Sequence, residues 1–235
     1  MCVSAEASFG LAAVLTPVGV YCITCASQRD VSFLPLASIP LLFGVQQFCE
    51  GLVWIGIDHD DGDMTRLASL FFLFFAICFW LFWIPFSAMF LEKCKTMRCV
   101  FAIVAILGFA SGAAAYYPVL VRPDVLVTSV ANHSIRYDIT RSPTFESVPQ
   151  GLWHLAYLSV VGFPLFLSSE KRLLGFNIAL VLSAVLSHAY FWYAFDSMWC
   201  YFAAILSLYL AFLFFKVPRP GILPGKTSAS LSIPT

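Results

Sequence analysis

Charge is what this chain has least of. Asp, Glu, Lys and Arg make up 11% of its 235 residues, against 60% hydrophobic residues, whereas soluble domains average roughly 25% and 45–50%. So few charges cannot cover a water-soluble surface, which excludes a large soluble domain. The 13 basic residues are offset by 13 acidic ones, leaving no positive field for nucleic acid. Gly and Pro, 13 of each, are too few for a low-complexity chain. The opening Met1-Cys2-Val3-Ser4-Ala5-Glu6-Ala7 lacks the basic stretch of a secretory signal, so the first apolar run is expected to be a retained helix. Cys22-Ile23-Thr24-Cys25 has no second pair to make a metal site and reads as ordinary apolar helix. No internal repeat stands out.

Long apolar runs are what is there. A helix of about 20 residues crosses a hydrocarbon core of about 30 Å, and the sequence is read as seven such spans, an all-α membrane bundle. They run from about Ser8 to Ala26, Phe33 to Ile57, Leu67 to Leu91, Cys99 to Tyr117, Pro149 to Leu167, Leu173 to Tyr193 and Phe195 to Phe215. The third carries an aromatic block including Phe71, Phe72, Phe74, Phe75 and Trp80, read as packing or lipid-facing surface, with a kink expected at Pro85. The fourth carries Gly108 and Gly112 among small residues, a pattern for backbone-to-backbone packing, read as packing within one chain ahead of dimerisation.

Between the fourth and fifth spans, residues 118–148 form the one long polar connection. Val125–Val130 and Ser134–Ile139, joined at Ala131-Asn132-His133, are expected to pair as a small β-hairpin capping the bundle. The membrane domain is taken as residues 1–216 and the Pro, Gly and Ser-rich stretch 217–235 as a disordered cytoplasmic tail. Alternating loops place Arg29, Lys93, Lys95, Arg98, Lys171, Arg172, Lys216, Arg219 and Lys226 on one side. Arg66, Arg122, Arg136 and Arg141 fall on the other. Nine against four marks the first side as cytoplasmic, with the N-terminus and hairpin outside and the C-terminus inside. The sequon Asn132-His133-Ser134 falls on that outer side. Cys94 and Cys99 flank basic residues at the inner surface as candidate palmitoylation sites, and Cys2 and Cys200 both reach the outer side, where a disulfide would survive.

Ionisable groups inside hydrocarbon cost on the order of 2.5 kcal/mol or more when charged, so they face the bundle interior and mark candidate sites. Counting about 1.5 Å per residue, Glu50, His154, His188 and Asp196 fall at similar depth in the outer leaflet. Gln46, Gln47 and Trp54 share a helix face with Glu50, Tyr157 with His154, and Trp199 and Cys200 with Asp196. One reading is a Zn²⁺ site in which His154, His188 and Asp196 bind the ion, Glu50 is the general base and Gln46 or Gln47 orients water or substrate. That would make a hydrolase of a lipid-like substrate. Haem between the two histidines, a proton relay through Glu50 in a transporter, and a non-enzymatic subunit or receptor whose cluster is structural or binds lipid are the alternatives. Membrane lipids are the expected partners, with a protein partner or a second copy also open. Asn177 is expected to bond a neighbouring helix.

Met1-Cys2-Val3-Ser4-Ala5-Glu6-Ala7-Ser8-Phe9, and Leu34-Pro35 followed by Pro40-Leu41-Leu42-Phe43-Gly44-Val45-Gln46-Gln47-Phe48-Cys49-Glu50-Gly51-Leu52-Val53-Trp54, resemble a family of uncharacterised multi-pass membrane proteins found mostly in bacteria. The resemblance extends over most of the chain and implies an integral membrane location. In architecture alone the chain is similar to the seven-helix zinc hydrolase superfamily of alkaline ceramidases and adiponectin receptors. The last helix here carries no His-x-x-x-His.

Overall fold

The computed structural model describes residues 4–216. Cys2 and the stretch 217–235 lie outside the described residues. The chain starts with α1 (Ala5–Arg29), whose N-terminus is capped by Ser4 Oγ accepting the Ala7 N–H at 3.3 Å, the usual role of Ser in the first turn. Pro35 and Pro40 then divide the second apolar run into α2 (Leu34–Ala37) and α3 (Ile39–Asp58), each Pro in a first turn where its missing N–H is harmless. Asp61 caps α4 (Gly62–Leu73) by accepting the Met64 N–H at 2.9 Å.

A π-helical turn, Phe74–Phe79, joins α4 to α5 (Trp80–Leu91). The departure from α geometry in this span is therefore at 74–79, while Pro85 lies inside α5. After α6 (Lys95–Val121) come β1 (Val127–Ala131) and β2 (Ser134–Asp138), α7 (Pro143–Ser147), α8 (Gln150–Leu167), α9 (Leu173–Tyr190) and α10 (Phe195–Lys216).

Among the described residues six helical segments are long and apolar enough to cross a membrane, and Gly151–Leu167 is a shorter apolar helix. At about 1.5 Å per residue its 17 residues reach about 26 Å, slightly under the hydrocarbon thickness. The molecule is thus an integral, multi-pass membrane protein, and among the described residues it is all-α apart from one two-stranded sheet. Its outer faces carry the apolar side chains that lipid requires, among them Ile103, Ile106 and Leu107 on α6 and Leu182, Val185 and Leu186 on α9.

α1 packs along α3, α5 along α6, and α10 touches α1, α3, α9 and β2. Gly108 and Gly112 show why small residues sit on α6. A Cβ at Gly108 would collide with the Leu81 carbonyl, and one at Gly112 would lie 2.7 Å from the Ile77 carbonyl oxygen, so the α5–α6 approach uses this stripe inside one chain. Asn177 Nδ2 donates to the Gly162 carbonyl at 3.0 Å, tying α9 to α8.

The hairpin pairs Val127 with Asp138 through Ala131 with Ser134 around a turn at Asn132 and His133, both at positive φ. Its alternation is one-sided. Ile135 (0% exposed), Tyr137 (7%) and Ile139 (8%) point into the bundle and join a core with Val53, Phe72, Ala115 and Met198, while Arg136 and Asp138 pair beside them at 3.1 Å. The hairpin sits at the end of the bundle where Asp60 and Asp61 line a cavity with Thr128. At the opposite end Arg29 Nη1 donates to the Phe214 carbonyl and Glu92 clasps Ser169.

Candidate functional site

α3 supplies the centre of the site. Gln46, Gln47 and Glu50 are all fully buried, and the spacing of three brings Gln47 Nε2 to Glu50 Oε2 as a donor at 3.0 Å. From α10, Ser197 Oγ donates to Glu50 Oε1 at 2.5 Å. From α5, Trp80 Nε1 donates to Gln46 Oε1 at 2.8 Å, with its ring stacked on Phe43 at 4.1 Å. Helices remote in sequence therefore meet at one polar point.

β2 adds Tyr137, whose ring stacks on Phe72 at 4.9 Å with 17° between planes. Burial, followed by the nearby Glu50 carboxyl, pushes the Tyr137 hydroxyl well above the ordinary phenol range, so it stays an O–H group. Beside Tyr137 the Asp138 carboxyl is held below its ordinary range, chiefly by the Thr140 hydroxyl.

What distinguishes this region is how many of its polar atoms are unfilled. Gln46 Nε2, Gln47 Oε1, Trp54 Nε1, Tyr137 Oη and Trp199 Nε1 are buried without a protein partner. Each such atom costs about 1–3 kcal/mol if nothing bonds it, so a concentration of them marks a place for water or a ligand. The ion pairs among the described residues join Arg122 to Asp124, Arg136 to Asp138 and Arg172 to Glu170. None of them involves Glu50.

Two cavities each share a residue that bonds the cluster. A polar one of about 50 Å³ on the hairpin side is lined by Arg136, Tyr137, His154, Trp192, Asp196 and Ser197, among others. An apolar one of about 30 Å³ is lined by Phe43, Trp80, Tyr157, Trp199 and Cys200, among others. Ser197 belongs to the first wall and bonds Glu50, and Trp80 belongs to the second and bonds Gln46.

The histidines form a separate pair. His154 on α8 and His188 on α9 approach with their Nδ1 atoms 3.2 Å apart, and the His154 ring stacks on Phe195 at 3.9 Å. His188 is exposed on a lateral groove between α8 and α9 of about 390 Å³, lined also by Gly151, Leu155, Leu158 and Val185. Asp196 is half-buried and shares the polar cavity with His154. No hydrogen bond or ion pair reaches its carboxylate among the described residues.

The geometry thus brings Gln46, Gln47 and Glu50 together, pairs His154 with His188, and sets Asp196 beside His154 across a cavity. Among the described residues no group of three or more His, Cys, Asp or Glu side chains is arranged to hold a metal ion. Ser197, Trp80 and Tyr137 are additions that helix-by-helix reading passed over. Ser197 directly follows Asp196, and Tyr137 is marked by the strict alternation of Ile135, Tyr137 and Ile139 with Arg136 and Asp138.

No curated protein and no solved structure matches the chain. The resemblance to an uncharacterised membrane family has a direct counterpart, since residues 1–222 match the model of a family of unknown function, DUF6629. The chain belongs to that family.

Proposed function

We propose that this is a proton-coupled membrane protein in which Glu50 takes up and releases a proton through the Ser197 hydroxyl. The observation that carries the reading is the contact of Ser197 Oγ with Glu50 Oε1 at 2.5 Å while the same residue lines the polar cavity. An ionised Glu50 would stand without a counter-ion, at a cost on the order of 2.5–3.5 kcal/mol or more in hydrocarbon, so protonation and charge balance are linked there. In the relay, the Ser197 hydroxyl gives its proton to Glu50 as its oxygen takes one from the cavity. The groups facing Glu50 are Gln46 and Gln47 from its own helix, Ser197 and Cys200 from α10 and Tyr137 from β2. The hairpin end is assigned to the extracytoplasmic side by the Lys and Arg count.

Infrared difference spectra recorded on stepping the reconstituted protein between about pH 5 and about pH 9, the interval that brackets buried carboxyl groups, test this directly. A carboxylic C=O band that comes and goes with pH and is missing in Glu50→Gln is expected. An identical spectrum from Glu50→Gln overturns the reading.

A zinc-dependent hydrolase of a lipid-like substrate is the second reading. It is supported by the close His154–His188 pair and by the shared position of His154 and Asp196 on one cavity wall. In it those three hold the ion, Glu50 is the base and Gln46 or Gln47 orients the water. Stoichiometric zinc that is lost in His188→Ala would favour it, and a Soret band would favour haem instead.

A further inference from the structure

The polar cavity and the lateral groove are neighbours that share a wall. His154 and Phe195, stacked on each other, line both. On one side of that stacked pair the walls are polar. On the other lies an apolar groove open toward the surface that lipid covers.

The polar cavity has a charge to be met. Arg136 and Asp138 neutralise each other at 3.1 Å, whereas the Asp196 carboxylate makes no hydrogen bond or ion pair among the described residues. Tyr137, only 7% exposed, lines the same space, and Trp192 and Tyr193 form part of the wall. A carboxylate lined by aromatic residues favours an ammonium group, through a charge-assisted hydrogen bond and cation–π attraction. At about 50 Å³ the space suits a small head of a few heavy atoms.

We infer that the hairpin-side cavity and the α8–α9 groove together bind an amphiphile with an ammonium headgroup. Its head lies against Asp196 and Tyr137, and its alkyl chain lies in the groove beside Leu155, Leu158 and Val185. The ammonium belongs either to a phospholipid headgroup or to a free long-chain amine. The site shares its polar wall with the Ser197 entrance, but it does not require Glu50 to exchange a proton. The infrared spectra and the binding measurement below therefore fail independently.

The test uses the full chain in nanodiscs of phosphatidylglycerol, which has no amine, titrated with dodecylamine, dodecanol or methylamine and followed by tryptophan fluorescence and thermal unfolding. Dodecylamine is expected to bind saturably and at least about tenfold more tightly than either dodecanol or methylamine. Asp196→Asn is expected to weaken dodecylamine by at least about tenfold, as loss of one partner of a close charge pair does. Gly151→Leu, whose added side chain meets no neighbour within 4 Å at its Cβ, projects into the groove mouth. It should weaken dodecylamine and leave methylamine unchanged.

Dodecanol binding as tightly as dodecylamine overturns the proposal, and so does dodecylamine binding to Asp196→Asn as tightly as to the parent. Gly151→Leu with undiminished dodecylamine binding overturns the part played by the groove. If Asp196→Asn does not fold, the comparison of dodecylamine with dodecanol on the parent chain decides the requirement for charge. Phosphatidylethanolamine retained through native mass spectrometry, and lost in Asp196→Asn, identifies a lipid as the source. Failure of that lipid to compete, with dodecylamine still bound, identifies a free amine.

Discussion

Glu50 and Glu92 are both buried carboxyl groups, 0% and 4% exposed, yet they are built in opposite ways. Glu92 ends α5 and accepts from the Lys93, Cys94 and Ser169 backbone N–H groups at 2.9 Å each and from the Ser169 hydroxyl at 2.6 Å. It clasps the start of α6 to the connection between α8 and α9, and its oxygens are fully employed. Glu50 has two side-chain partners and is surrounded by polar atoms with none. A carboxylate whose bonds are saturated by backbone is a fastener. One left half-served among unpartnered polar atoms, bonded to a residue that lines a cavity, is the group on which the proposed proton exchange rests.

The largest effect that separates the two is on stability. Glu92→Ala strips two loop segments of a charged acceptor, and hydrogen bonds to charged groups contribute about 1.5–3 kcal/mol each, less where water can replace them. A loss of about 3 kcal/mol is expected, read as a lower unfolding midpoint in detergent, whereas Glu50→Gln keeps the same shape and both partners and should change stability by less than about 1 kcal/mol. A Glu50→Gln variant as unstable as Glu92→Ala would make Glu50 a fastener too.

Next in size is the response to acid. Burial raises the Glu92 carboxyl, but the bonds from Ser169, Cys94 and Lys93 together outweigh it and hold the group below its ordinary value of 4.5. The folded state therefore binds this proton less readily than the unfolded chain does. The Glu92 contribution is complete above about pH 4.5 and is lost as the pH falls through the lower folded value. Unfolding midpoints below pH 4.5 should fall more steeply for the parent than for Glu92→Gln, and equal slopes would remove Glu92 from the account.

The same contrast explains what could be read ahead of the structure. Glu50 with Gln46 and Gln47 stands out in an apolar run because charge there is expensive, and the spans follow from length and hydropathy. The fifth apolar run is found as α8, Gln150–Leu167, whose apolar part, Gly151–Leu167, is short for a span. Depth along a helix puts His154, His188 and Asp196 at one level, but depth carries no angle. His188 turns to the lateral groove while Glu50 turns to α10. Glu92 was invisible for a different reason, because its partners are mostly backbone N–H groups, which carry no sequence signature.

A smaller effect is expected at Ser197. Ser197→Ala removes one of the two hydrogen bonds to Glu50 and leaves a buried oxygen less well served, at about 1–3 kcal/mol. Its sharper signature is kinetic, in that the pH-dependent carboxyl band assigned to Glu50 should persist but form more slowly after a pH jump. A band that keeps the parent rate would mean that protons reach Glu50 by a route other than the polar cavity.

The smallest effect on stability, and the most discriminating, belongs to Tyr137. Its ring is fixed by stacking on Phe72 and by the hairpin core, so Tyr137→Phe preserves the packing and deletes only a hydroxyl that has no protein partner. If that hydroxyl were simply stranded, its removal would relieve a desolvation cost and the variant would be more stable by about 1 kcal/mol or more. If it bonds water or a ligand head in the cavity, the gain disappears and the two proteins should unfold within about 0.5 kcal/mol of one another. Dodecylamine binding should then weaken in the variant, because the head loses a hydrogen bond while Asp196 still supplies its charge. A variant that gains stability and binds the amine as before would show that the cavity wall at Tyr137 is passive, and Glu50 would then differ from Glu92 only in lacking backbone donors.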